Sequence, residues 1–176
     1  MSINLTYEKY PISTIIFSNL ITFFTYLTGF IILFKAWNVS VIVYILYIAF
    51  IEIRLLKNSC TSCYYYDKVC AFGRGKICSL IFKKQNPQIF KCKKITWKEI
   101  IPEMLISIIP LFTGIIFLII DFQWLILALL IILFLLTSYG NAYVRGQMAC
   151  NHCKQADIGC PALEFFKKPT NNSETP

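Results

Sequence analysis

The stretch Ile100–Ile120, IIPEMLISIIPLFTGIIFLII, carries one ionisable residue, Glu103, in an otherwise apolar run. About 20 predominantly apolar residues are what an α-helix needs to cross a bilayer. Three more stretches approach that length: Ile12–Phe34, Val39–Leu56 and Phe122–Tyr139. Short turns holding Lys35 and Asp121 join them in pairs. The 176-residue chain is 57% hydrophobic with mean hydropathy +0.62, too apolar for a soluble domain. The expected fold is an all-α integral membrane protein with four transmembrane helices in two tandem hairpins. The first stretch is expected to be a retained span. It is longer than the apolar core of a signal peptide, only Lys9 supplies a basic residue before it, and no small-x-small cleavage site follows.

The formal net charge of +8 is unevenly placed. Between spans two and three lie Lys57, Lys68, Arg74, Lys76, Lys83, Lys84, Lys91, Lys93, Lys94 and Lys98, and the C-terminal side adds Arg145, Lys154, Lys167 and Lys168. Basic residues in short loops face the cytoplasm. An even number of spans then places both termini, the long loop and every cysteine on the cytoplasmic face of the cell membrane.

Six of the eight cysteines repeat one pattern. Cys60-x-x-Cys63-x-x-x-Asp67-x-x-Cys70 recurs 90 residues later as Cys150-x-x-Cys153-x-x-x-Asp157-x-x-Cys160, and each copy follows a pair of spans. Ile81-Phe82-Lys83-Lys84 after the first copy is echoed by Phe165-Phe166-Lys167-Lys168 after the second. The organisation expected is 1–98, a hairpin with a cysteine-rich basic loop; 99–168, a second hairpin with its cysteine motif; and 169–176, a disordered tail.

Cytosolic thiols are kept reduced, so C-x-x-C there points to metal or catalysis before disulfides. Thiolates bind zinc and iron–sulfur clusters, and a C-x-x-C turn offers two sulfurs to one ion. Three ligand sets are open. Cys60, Cys63, Cys150 and Cys153 make a four-thiolate site, with Cys70 and Cys160 left over or substituting. Each motif can instead hold its own ion through three cysteines plus Asp67 or Asp157. Each can also hold a cluster through its three cysteines. Zinc ranks before iron–sulfur, because the spacing differs from ferredoxin runs. A structural or interaction module is the leading role, since a small polar loop without its own core needs a staple.

Two other functions compete. Lysines near a C-x-x-C favour thiolate, which suits a membrane thiol oxidoreductase. The chain is similar to the vitamin K epoxide reductase and disulfide-bond B types only in span count and cysteine pairs; those act at the outer face. Arg74 and Lys76 could alternatively clamp lipid or polyprenyl phosphates in a membrane enzyme.

The remaining polar residues have blander readings. Cys78 and Cys92 stand outside the repeat, and His152 is expected to be a neutral neighbour. Tyr64, Tyr65 and Tyr66 beside basic residues could stack nucleic-acid bases, but at a bilayer they are expected at headgroup depth, with lysines on anionic lipids and no nucleic acid bound. Ser79–Lys84 could form a short interfacial helix, and Trp97 an anchor for span three. Gly73 and Gly75 suit a tight turn or close backbone approach. Glu103 and Glu52, with Arg54 nearby, are expected to snorkel or to pair between helices, and Pro102 and Pro110 to bend span three.

The run Cys60-x-x-Cys63-Tyr-Tyr-Tyr-Asp67-Lys-Val-Cys70-Ala-Phe-Gly73-Arg-Gly75-Lys76, together with Cys150-x-x-Cys153-x6-Cys160-Pro161-Ala162, resembles a pattern in uncharacterised small multi-span membrane proteins, mainly prokaryotic and especially archaeal. The resemblance implies the multi-span architecture and carries no activity, substrate or protein partner with it.

Overall fold

A computed structural model of the chain describes residues 6–86, 90 and 96–160. Cys92, the lysines at 91, 93 and 94, the echo at 165–168 and the tail at 169–176 lie outside the described residues. The fold is all-helical, with no strand among the described residues. Helix α1 spans Ile12–Ala36, and α2 spans Asn38–Leu55 before continuing as a π-helical turn over Leu56–Cys60. Then come α3, Arg74–Ile81, and α4, Trp97–Ile120. Helix α5 spans Trp124–Leu135 and runs on through π-helical and α-helical turns to Ala149 and a 3₁₀ turn over Cys150–His152; α6 is Lys154–Gly159.

Four helical runs are long and apolar enough to cross a membrane: Ile12–Ala36, Val39–Cys60, Trp97–Ile120 and Trp124–His152. Large apolar side chains on all of them face outward, among them Phe23, Leu46, Phe112 and Phe134. Backbone satisfied within helices and an apolar exterior are what hydrocarbon demands, and the chain fits a multi-pass membrane protein. The fourth run outlasts its apolar stretch. The apolar residues end at Tyr139, whereas the helix continues to His152 because its polar end packs against the other spans and the N-terminal segment.

Helix α1 is central and touches α2, α4 and α5. Leu33, Val41, Tyr44, Ile51 and Ile106 form one buried cluster, and Ile32, Ile126, Leu130 and Leu133 another. At Gly29 a Cβ would strike the Tyr44 hydroxyl and come within 3.2 Å of Pro110, so the missing side chain sets how closely α1, α2 and α4 approach. The hydroxyls of α1 are hidden locally. Ser18, Thr22, Thr25 and Thr28 each donate to the carbonyl four residues earlier.

A proline removes the N–H that would bond the carbonyl four residues before it. In α4, Pro102 and Pro110 therefore release the carbonyls of Lys98 and Ile106. Helix α2 supplies both missing donors: Arg54 Nη2 donates to Lys98 O at 3.1 Å, and the Tyr44 hydroxyl to Ile106 O at 2.9 Å. Both prolines stay inside a continuous helix. Arg54 thus serves the backbone of α4.

Candidate functional site

Both cysteine motifs stand at the same end of the bundle. Each follows a π-helical segment, Leu56–Cys60 in the first case and Val144–Ala149 in the second. Each then folds as two successive turns. Cys63 N donates to Cys60 O at 3.4 Å and Tyr66 N to Cys63 O at 3.1 Å; Cys153 N donates to Cys150 O at 3.3 Å and Ala156 N to Cys153 O at 3.0 Å. Equal spacing has produced equal backbone bonding.

The first motif is braced by its own loop. Asp67 takes a left-handed conformation at φ 61° and its N–H donates to Gly75 O. Gly73, also left-handed at φ 70°, precedes α3. Gly75 has no room for a side chain, since a Cβ would collide with Tyr65 O and sit 2.5 Å from Lys68 O. The short helix starts earlier than expected, at Arg74, and ends at Ile81, because Gly73 turns the chain into it and its Ser79 hydroxyl donates to Asp67. Its Ile77, Leu80 and Ile81 are exposed, an apolar face beside exposed Lys76.

The two motifs meet directly. Tyr64 N donates to Gln155 Oε1 at 2.7 Å, and the Tyr65 hydroxyl accepts from Lys154 N at 3.0 Å while donating to Tyr7 O. The segment before α1 runs alongside. Tyr7 N donates to His152 O, Tyr10 N to Val69 O, and the Tyr10 hydroxyl to Ala149 O. Tyr10, Tyr65, Ala71 and Ala149 form a buried cluster against which Cys63, Cys70 and Cys153 pack. Tyr65 is only 2% exposed, which corrects its assignment to headgroup depth. Its ring lies 5.5 Å from that of Tyr10 and its hydroxyl has two partners, so it belongs to a small core. Tyr64 is half-buried, with Lys68 Nζ 4.1 Å above its ring.

None of the seven described cysteines is in a disulfide. Cys60 lies within electrostatic reach of Cys63, Cys70 and Cys78; Cys63 within reach of Cys153, Cys70 and Cys160; and Cys150 within reach of Cys153 and Cys160. Across the junction, Cys63 of the first motif thus interacts with Cys153 and Cys160 of the second. Burial pushes the Cys63 thiol up to about 12 and raises Cys153, with neighbouring sulfurs adding to both. Among the described residues, no three His, Cys, Asp or Glu side chains are drawn together into a group ready to hold an ion. Asp67 and Asp157 are exposed, Asp67 being engaged by Ser79. Cys78 is fully buried and donates to Leu56 O at 3.5 Å, and the His152 ring packs on Tyr7 at 4.8 Å.

The intramembrane carboxylates are paired with arginines. Arg74 Nη2 meets Glu52 Oε1 at 2.6 Å, with the Tyr26 hydroxyl donating to the same oxygen at 2.7 Å, and Arg145 Nη2 meets Glu103 Oε2 at 3.4 Å. The residues missed from sequence are those that join the motifs: Tyr7, Tyr10, Lys154 and Gln155. No spacing rule marks them, and the excess of tyrosine and lysine pointed to the lipid surface instead. Compared with known proteins, the chain matches no family model, no curated protein and no solved structure.

Proposed function

We propose that this chain is a metal-binding or interaction module of the cell membrane, in which two tandem hairpins carry one thiolate site on the cytoplasmic face. The observation that supports it is the direct junction of the two motifs: their identically bonded turn pairs touch through Tyr64, Tyr65, Lys154 and Gln155, and Cys63, Cys70 and Cys153 pack against one buried cluster there. Cys60, Cys63, Cys150 and Cys153 are the core ligands, and Cys70 and Cys160 complete or substitute in the set. Half-buried thiols on two touching motifs are a donor set that a cation can bind by displacing their protons. Soft sulfur donors on C-x-x-C turns favour zinc first and an iron–sulfur cluster second. Asp67 and Asp157, both exposed, are weaker candidates, and Ser79 already occupies one of them. The small buried cluster around Tyr10 and Tyr65 is what such a metal would staple to the spans. The apolar face of α3 and the exposed Lys76, Lys83 and Lys84 suit anionic lipid headgroups.

A thiol oxidoreductase works through an accessible thiolate. A metal ligand and a redox thiol must both lose the proton that burial strengthens on Cys63 and Cys153, so the two readings part at the metal content and the redox state of the thiols. The test is elemental analysis and an absorption spectrum on protein purified anaerobically in detergent, beside a Cys63→Ser/Cys153→Ser variant. Zinc or iron in the wild type, lost from the variant, is the expected result. Metal-free protein whose thiols titrate as reversible disulfides would overturn the proposal in favour of the oxidoreductase.

A further inference from the structure

We propose that a cavity among the four spans, beneath the thiol cluster, is a binding site for a phosphate group held by Arg74 and Arg145. The cavity encloses about 320 Å³, and every span contributes to it. That volume is at the lower end of small-molecule sites and accommodates a headgroup or a small phosphorylated molecule. Its polar lining includes Tyr26, Glu52, Arg74, Glu103, Asn141 and Arg145, an unusual concentration for helices that cross hydrocarbon. Ionisable residues there mark functional sites by default.

The positions of the two cations carry the argument. Arg74 arrives from the loop and Arg145 from the fourth span, yet their guanidinium carbons lie 5.4 and 6.0 Å from the centroid of one ring, Phe72. Both arginines also line the same cavity, so an anion bound there meets two cations. Their carboxylate partners sit on different helices, Glu52 on α2 and Glu103 on α4, so each arginine is steadied from its own side. Glu52 is itself fixed by Tyr26. A guanidinium has five N–H donors. The contacts described use Nη2 of Arg74, and Nε and Nη2 of Arg145 through Asn141 and Glu103. Donors remain on both forks, and planar forks match phosphate oxygens in pairs. A tetrahedral oxyanion can take donors from both arginines at once. The two arginines and two glutamates sum to zero, which suits a singly charged phosphate better than a polyphosphate. The phosphate can belong to a lipid headgroup or be free in solution.

The experiment has one arm for each source, using wild-type protein in lipid nanodiscs. Equilibrium dialysis with radiolabelled orthophosphate reads the free anion. Native mass spectrometry after release from discs of phosphatidic acid and phosphatidylcholine reads the retained lipid. One bound phosphate group per chain is expected in one arm. Arg74→Gln/Arg145→Gln should weaken it about tenfold or more, whereas Lys35→Gln, at an exposed position at the end of the first span and outside the cavity, should not. Should the double variant lose helix content, Ser107→Leu narrows the cavity with both ion pairs intact and must weaken binding by a similar factor. Failure of the wild type in both arms, or binding unchanged in the folded variants, overturns the proposal. Metal content measured on the same samples is expected to stay constant in every variant, so this site and the thiol site stand or fall separately.

Discussion

The two cysteine motifs share their backbone turns and differ in what supports them. The first is followed by a loop that folds back on it: Asp67 and Gly75 exchange a backbone contact, Ser79 holds the Asp67 carboxylate, and Cys78 is buried beneath. The second encloses the six-residue α6 between Cys153 and Cys160 and leans on distant partners, Tyr7, Tyr10 and Tyr65. The same C-x-x-C geometry is thus reached by local bracing in one copy and by long-range docking in the other. Turn geometry belongs to the motif, and the relative placement of the sulfurs belongs to the tertiary contacts around it.

The sharpest way to break the first motif alone is Gly75→Ala. Backbone oxygens of Tyr65 and Lys68 occupy the space of the new methyl, and neither can move like a flexible side chain. A loss of roughly 3 kcal/mol is expected by thermal unfolding in detergent, the upper end of overpacking effects. Tyr65→Phe attacks the junction instead. It removes the donor to Tyr7 O and the acceptor of Lys154 N, and unpaired buried polar groups cost about 1–3 kcal/mol. Hydrogen exchange at Lys154 should quicken, while the amides of the first motif keep their protection.

Tyr44→Phe sharpens the comparison from outside it. The carbonyl of Ile106, released by Pro110, loses its donor, and stability should fall by about 1 kcal/mol. Metal content should not change. The smallest effect belongs to Glu8–Lys154, an exposed pair at 2.6 Å between the N-terminal segment and the second motif. Lys154 holds the Glu8 carboxyl below its usual 4.5, so that contribution is present above pH 4.5 and fades as the pH falls through the depressed value. Glu8 and Tyr64 raise Lys154 above its usual 10.5, so its contribution is present below that pH and fades as the pH climbs through the raised value. Glu8→Gln should slightly speed exchange at Tyr7 between those limits, and added salt should erase the difference, since exposed ion pairs are screened.

The spans were legible because hydrocarbon imposes a length and a polarity that few soluble helices meet. The end of the fourth was not. The helix that passes Tyr139 and reaches His152 is held by packing, which hydropathy does not record. Prolines 102 and 110 were visible in the sequence, but their rescue by Arg54 and Tyr44 depends on how α2 faces α4. The repeated cysteines and the glycines at 73 and 75 announced turns, since spacing and φ preferences are local properties. Tyr65 was misplaced at the lipid surface because tyrosine beside lysine suits a headgroup layer as well as it suits a small polar core. Arg145 was visible only as a charge, and nothing in the chain order brings it to Phe72 beside Arg74.

The claim that the two motifs serve one site is tested most directly by metal stoichiometry in single-motif variants. Cys63→Ser and Cys153→Ser would be made separately and their metal content compared with wild type by elemental analysis. A shared site predicts that either substitution alone removes the metal. Loss of only half from each variant would mean two independent sites, and would contradict the account.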